Sequence, residues 1–261
     1  MNIVEYITSN EAEKLLGVSR QRFFYYVNQG RISKKPGLTP RKTVYSKADI
    51  LLLKGEISDG DRIETDIIVD WVQPSDLPKT LALDLVVYHE DMIGDFKLYL
   101  SWLKRNPNIT LGAFDKSKSI ILAYLNLLPL DEEVILSILR GERDETNITS
   151  NEIKTYEGEG EFTLLAESIV AHPDHPEAIG SIMNSVSTYW CEQWPTRKVR
   201  RIYAQTVSDQ GLFLVQRLFF APLLDYPDNA YVLDMQRKNF SKVVRKYQEC
   251  IEEKKRNLPS T

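Results

Sequence analysis

Apolar positions in the first quarter of the chain recur at helical intervals, and glycines interrupt them. Thr8 and Glu11 have capping-box spacing, and Ala12, Leu15 and Leu16 follow on one helical face. Gly17 predicts the end of that helix, because a left-handed C-terminal position costs glycine nothing. Val18 packs back, and Ser19 caps a second helix from about Arg20 to Asn28, with Phe23 and Val27 on its buried face. Gly30 ends it. Pro36, Gly37 and Pro40 separate two short β-compatible runs, which predicts a hairpin. Ser46 caps a third helix, Lys47 to Leu53, and the polar stretch Glu56–Glu64 reads as a linker.

Beyond Asp66 the periods alternate between strand and helix. "DIIVDWVQPSDLPKTLALDLVVYHED" predicts a strand, a turn capped at Ser75 or Asp76, and a helix. "DMIGDFKLYLSWLKRNP" predicts a helix with Phe96, Leu100 and Leu103 on one face. "ITLGAFDKSKSIILAYLNLLPL" reads as two strands joined through "DKSK", and "DEEVILSILRGE" as a helix. After an acidic excursion to Gly160 come a strong strand in "EFTLLAESIVAHP" and a helix from Ala178 to Trp194. A strand in "VRRIYAQTV", a helix in "DQGLFLVQRLFF" and a strand in "AYVLDM" complete a mixed α/β body without internal repeats. A last helix, about Phe240 to Arg256, carries the apolar stripe Phe240, Val243, Val244, Tyr247 and Ile251.

Composition changes this picture little. The 261 residues are 43% hydrophobic and 27% charged, an ordinary globular balance, and no run is long and apolar enough for a membrane span. No basic segment followed by an apolar run marks a signal peptide, so a cytoplasmic, nucleoid-associated protein is expected. Cys191 and Cys250 lie far apart and read as two incidental reduced thiols. Charge is more informative by its distribution than by its total of −4. Ten of the 33 Lys/Arg and five of the 37 Asp/Glu fall between Met1 and Glu56, so a head of +5 precedes a remainder of −9. A basic head on an acidic body points to a polyanion such as double-stranded DNA.

Helix, turn, helix, hairpin and helix is the order of a winged helix-turn-helix. Arg20, Gln21 and Arg22 stand at the start of the second helix, where side chains reach base edges in the major groove. Lys34, Lys35, Arg41 and Lys42 on the wing can neutralise phosphates, and Tyr25 and Arg31 are further candidate DNA contacts. The run "SNEAEKLLGVSRQRFFYYVNQGRI…YSKADILLL" resembles the MerR and excisionase type of DNA-binding domain. Gly17-Val18-Ser19, Gly30-Arg31 and Tyr45-Ser46 with Asp49 stand in that type's order. The resemblance implies DNA contacts from the second helix and the wing.

The body, from about Asp66 to Met235, resembles the GNAT superfamily of acyl-CoA-dependent N-acyltransferases. Three runs carry it: "LGAFDKSKSIILAYLNLLPL", "LLAESIVAHPDHPEAIGSIM" and "IYAQTVSDQGLFLVQRLFF". The resemblance implies a CoA loop at Ile169, Val170, Ala178, Ile179, Gly180 and Ser181, and a general base at Glu167. It also shows departures. Pro176 falls near the position of the usual Arg or Gln and has no N–H to offer a phosphate. Glu177 puts a negative charge there, Val215 stands where a tyrosine acid is usual, and Phe219-Phe220 replaces Gly-Phe.

The expected class is therefore α+β. A winged helix-turn-helix (1–56) and linker (57–64) precede a degenerate GNAT-like domain (65–236) and a C-terminal basic helix and tail (237–261). His172, His175 and Cys191 lack the spacing of a metal site, and none is expected. No cofactor is expected unless the body is functional, in which case it is acetyl-CoA. The leading reading is a homodimeric, sequence-specific DNA-binding regulator whose body serves a sensor, dimerisation or partner-binding role without turnover. The body's partner is then an acyl-CoA or small-molecule effector, or a protein. The alternatives are an active N-acetyltransferase targeted to DNA and an architectural factor of a mobile element.

Overall fold

The computed structural model describes residues 5–18, 20–37, 43–59, 66–88, 95–227 and 229–257. The chain divides into two compact units, Met1–Asp66 and Ile67–Thr261. Ser19, Arg41, Lys42 and most of the expected linker lie outside the described residues.

In the first unit, β1 (Tyr6–Ile7), α1 (Ser9–Leu16), α2 (Arg20–Asn28), β2 (Lys34–Pro36), β3 (Thr43–Ser46) and α3 (Lys47–Asp59) follow in order. The three strands form an antiparallel sheet in the order β1-β3-β2. Thr8 and Glu11 make the capping box, and Gly17 takes φ 72° at the end of α1. Ala12, Phe23, Tyr26, Ile32 and Ile50 fill the core. Ser46 Oγ accepts the Asp49 N–H at the start of α3, and Asp49 in turn accepts the Ser33 N–H at 2.8 Å, which ties α3 to the chain leaving α2. That bond holds the Asp49 carboxyl below its ordinary range. The third helix continues past the expected Leu53 to Asp59, because Gly55 weakens a helix by only about 1 kcal/mol and no proline follows.

The second unit contains β4 (Ile68–Trp71), α4 (Leu77–Val87), α5 (Phe96–Arg105), β5 (Thr110–Phe114), β6 (Ile121–Leu130), α6 (Glu132–Leu139) and β7 (Gly160–Ala171). After these come α7 (Ala178–Gln193), β8 (Arg197–Gln205), α8 (Asp209–Arg217), β9 (Ala221–Pro222), β10 (Ala230–Asp234) and α9 (Lys242–Arg256). One sheet runs β4-β5-β6-β7-β8-β10-β9; β7 and β8 are parallel and every other neighbouring pair is antiparallel. All ten residues of β6 are buried, as expected of a central strand covered on both faces. One core holds Trp102, Phe114, Leu128, Ile135 and Tyr203, and the other holds Leu122, Leu164, Ile182, Trp190 and Tyr247.

Two helical faces differ from expectation. Phe96 and Phe240 are exposed; Trp102 with Leu103 on α5, and Val244, Tyr247 and Ile251 on α9, take the buried positions. The cysteines differ too. Cys191 in α7 and Cys250 in α9 form a disulfide with Cα atoms 6.1 Å apart, in place of two separate thiols. A separation of 59 residues hides this pairing in the sequence, whereas packing brings it about. Ser187 Oγ donates to Val243 O and Lys254 Nζ to Cys191 O, so contacts advance together along α7 and α9.

Trp102 fastens α5 to the loop before β7 by donating Nε1–H to Ile148 O at 2.9 Å. Trp102→Phe keeps most of the apolar surface and leaves that buried carbonyl unpaired. A loss of about 1–3 kcal/mol in denaturant unfolding is expected.

Candidate functional site

β7 and β8 pair from Gly160↔Arg197 to Ala166↔Ala204, and there the pairing stops. β7 continues to Ala171 on the β6 side, while the chain after Gln205 is drawn away as Thr206 N–H donates to Asn229 O. The strands therefore diverge in mid-sheet, and the β8-facing edge of β7 beyond Ala166 has no strand partner. Glu167 sits at this fork. The β6–β7 register passes from Leu127↔Ala166 to Asn126↔Ser168, so Glu167 is the extra residue of a β-bulge. Bulges re-aim a side chain at the expense of one ladder position.

The Glu167 carboxylate accepts Asn126 Nδ2–H at 2.8 Å and Tyr99 O–H at 3.3 Å. Asn126 is oriented by Thr110, whose hydroxyl donates to Asn126 Oδ1 at 2.5 Å. Next to this cluster Tyr124 O–H donates to Asp84 at 2.6 Å. Burial pushes Glu167 up to about 7, Glu145 and Asp84 adding like charge while the two hydrogen bonds oppose the rise. Burial likewise pushes Asp84 up to about 6. The phenols of Tyr99, Tyr124 and Tyr88 are raised, first by burial and then by these carboxylates. A carboxylate near 7 exchanges protons readily at neutral pH, as a general base requires.

Glu167 also lines a largely apolar cavity of about 160 Å³ at the fork, walled by β7, β8, α7, α8 and α9. Met183, Trp190, Ile202 and Leu214 are among its apolar walls, and Tyr88, Ser168 and Ser208 supply polar edges. Ile169 lines it as well, and Val215 is buried in its wall. Among the residues expected at the site, only Glu167 and Ile169 border this space, while Val170 is buried in the other core.

Ala178, Ile179, Gly180 and Ser181 form the first turn of α7. The loop before them is closed upon itself. Asp174 N–H donates to His172 Nδ1, His175 N–H to His172 O, Ala178 N–H to His175 O and Gly180 N–H to Glu177 O. Pro173 and Pro176 have no N–H, and the exposed Glu177 carboxylate approaches His175 Nδ1 at 3.2 Å. These residues do not fit a pyrophosphate, whose binding needs free backbone donors and no competing negative charge.

Sequence reasoning missed Tyr88, Tyr99, Asn126, Asp84 and Thr110. A signal was present for two of them, since Asn126 and Asp84 interrupt otherwise apolar runs. Buried polar residues of that kind need partners and so mark networks.

In the first unit, the Arg20 guanidinium lies over Phe24 and Arg22 Nε donates to Tyr26 O–H at 2.9 Å. Arg31 lies over Tyr26, and Lys34 and Lys35 are exposed on β2, with Lys35 Nζ 3.5 Å from the Tyr6 ring centre. Tyr25 is half-buried against Tyr26. Gln21 falls within α2. Among the described residues no His, Cys, Asp and Glu cluster could hold a metal, and no helix is long and apolar enough to cross a membrane.

No protein-family model and no curated protein matches this sequence. Solved structures similar to it include the loading GNATL domain of CurA from Lyngbya majuscula, at 14% identity and TM-score 0.40, covering 70% of this chain and 82% of that one. A polyamine N-acetyltransferase of Drosophila melanogaster is similar at 12% identity and TM-score 0.42, covering 65% and 100%. AtaTR bound with AcCoA is similar at 10% identity and TM-score 0.39, covering 65% and 93%.

Glu167 gives a testable pH dependence. Its folded value, about 7, lies above the ordinary 4.5, so the folded state holds the proton more tightly than the unfolded chain. The associated stability is complete below about 4.5 and is lost as pH rises through about 7. Relative to Glu167→Gln, wild-type protein should lose up to about 3 kcal/mol between those limits, measured by denaturant unfolding at each pH.

Proposed function

We propose that the second unit binds the pantetheine arm of an acyl thioester in the β7/β8 fork and transfers the acyl group to an amine, with Glu167 as general base. The observation that carries this reading is the placement of Glu167. It is bulged out of the ladder, borders the apolar cavity, and titrates near neutrality. An apolar cleft beside an unpaired strand edge suits a thioester arm, whose amides can complete the missing ladder. The base removes the proton that the amine nitrogen gives up on attack, and the thiolate leaves with a proton from an acid. Val215 cannot supply that proton. Tyr88, the phenol beside Ser168 at the cavity edge, is the candidate.

The closed loop before α7 favours a second reading, in which ligand is held without turnover and the unit is a sensor. Titration calorimetry and a thiol-release assay separate the two. Acetyl-CoA and acetyl-pantetheine should bind with similar affinity, because the loop does not grip the phosphates. Glu167→Gln should keep binding and lower kcat about 10²–10⁴-fold. Binding without thiol release would leave the sensor reading; failure of both ligands to bind at millimolar concentration would remove both readings.

For the first unit we propose a winged helix-turn-helix of MerR/excisionase type that reads double-stranded DNA with α2 and places the β2–β3 hairpin on phosphates. Its support is the order of elements and the exposed cations Arg20, Lys34 and Lys35. In a gel shift against DNA flanking its own gene, Arg20→Ala with Arg22→Ala should abolish site-specific binding, at about 1–3 kcal/mol per lost base contact. Unchanged binding by that double variant would exclude α2 as the reader.

A further inference from the structure

A second concavity, of about 620 Å³, opens at the opposite ends of β7 and β8 from the fork. Glu161 and Lys198 stand at the starts of the two strands, and Glu161 is six strand steps from Glu167, roughly 20 Å of extended chain. This groove lies between the strand starts, the Met235–Lys238 turn and the outer half of α9.

Its chemistry divides into two parts. One wall is apolar, formed by the half-buried Trp194 with Met235, Tyr247 and Ile251. The rim is cationic. Lys198, Arg200 and Lys238 are exposed and form no ion pair within 4 Å among the described residues, though Arg200 is near enough to Glu132 to lower that carboxyl, and Glu161 and Glu252 also line the groove. Lys255 is also on the rim and is paired to Glu252 at 2.7 Å. Arg200 is placed there by backbone geometry. The β7–β8 register passes from Phe162↔Val199 to Thr163↔Arg201, so Arg200 is skipped as a bulge residue. Met235 N–H donates to Arg200 O, which fixes the bulge against the neighbouring turn. Gln248 secures that turn from α9, donating to Met235 O and Arg237 O and accepting the Asn239 N–H. The groove is thus built from anchored backbone.

We propose that this groove is a nucleotide site, taking a nucleoside di- or triphosphate. Lys198, Arg200 and Lys238 hold the phosphates, the Trp194 wall takes the base, and Glu161 accepts a ribose hydroxyl. Three exposed cations lining one groove without close ion pairs favour a ligand with several negative charges. The aromatic wall selects one with a flat ring over a bare anion, because every base offers a π-face for stacking. The volume falls in the range of small-molecule sites. The groove shares Val199, Met235 and Tyr247 with the walls of the fork cavity, but its charged rim stands at the strand starts, and the proposal does not rest on acyl transfer.

Trp fluorescence and calorimetry on the full chain, with ADP, ATP, adenosine and inorganic pyrophosphate as probes, test the assignment. ADP and ATP should bind in the micromolar range, with adenosine and pyrophosphate each at least tenfold weaker. Lys198→Glu with Arg200→Glu, both exposed positions, should weaken ADP at least tenfold while leaving the thermal melt unchanged. Arg20→Ala with Arg22→Ala in the basic first unit should leave ADP binding unchanged, and saturating acetyl-pantetheine should not displace ADP. No ADP binding at millimolar concentration, pyrophosphate binding as tightly as ADP, or ADP binding retained by Lys198→Glu/Arg200→Glu would each overturn the proposal. Should the double variant melt early, Lys238→Glu carries the same test from the turn. Loss of ADP binding on Lys238→Glu supports the proposal, and retention overturns it.

Discussion

The second unit depends on the interrupted pairing of β7 with β8. A parallel ladder is ordinarily buried and continuous, because each strand satisfies its neighbour's backbone groups. Here it ends at Ala166↔Ala204 while β7 runs on to Ala171. The outcome is an exposed strand edge inside a covered sheet, a costly arrangement unless something completes it. The apolar cavity, the separation of α7 from α8 and the access to Glu167 all follow from this one divergence.

Bulges lie on both sides of β7. One skips Glu167 against β6, and the other skips Arg200 on β8. Each turns a charged side chain out of the alternating pattern, one to the fork and one to the groove at the far end. Burial then acts differently on the two. Glu167 is enclosed by Tyr99, Asn126 and the neighbouring carboxylates, so its proton affinity rises. Arg200 is exposed to solvent and forms no ion pair within 4 Å among the described residues. The same backbone device thus places a buried carboxylate at one end and an exposed guanidinium at the other.

Much of the architecture was legible in the sequence. Capping pairs, glycine stops and the alternation of strand and helix predict the order of elements in both units, and Glu167 is the carboxylate that the sequence singles out. What sequence could not carry was everything set by register and long-range packing. A bulge at Glu167 or Arg200 leaves no periodic signature, since one skipped residue looks like ordinary alternation shifted by one. Phe96 and Phe240 fit helical stripes and yet are exposed; α9 starts only at Lys242, so Phe240 falls outside it. Cys191 and Cys250 gave no spacing signal because their contact depends on α9 lying beside α7. Tyr99 and Tyr88 reach the Glu167 region only through the packing of α4 and α5.

The mismatch between the fork and the loop before α7 bears on how a thioester would be held. In a site gripped through its phosphates, the first helical turn supplies backbone donors and the cleft only guides the arm. In this chain the Asp174, His175, Ala178 and Gly180 N–H groups are engaged within the loop and Glu177 carries a negative charge there, whereas the strand edge and the apolar walls are intact. Binding must then come from ladder hydrogen bonds and apolar contact, which are insensitive to ionic strength compared with phosphate contacts. Such a site would discriminate poorly between CoA and a protein-borne pantetheine, because the two differ in what lies beyond the arm. Under the proposed reaction, a closed loop and a buried Glu167 are therefore compatible: the first would bear on which thioester carrier is accepted, and the second on the fate of an acyl group in the fork.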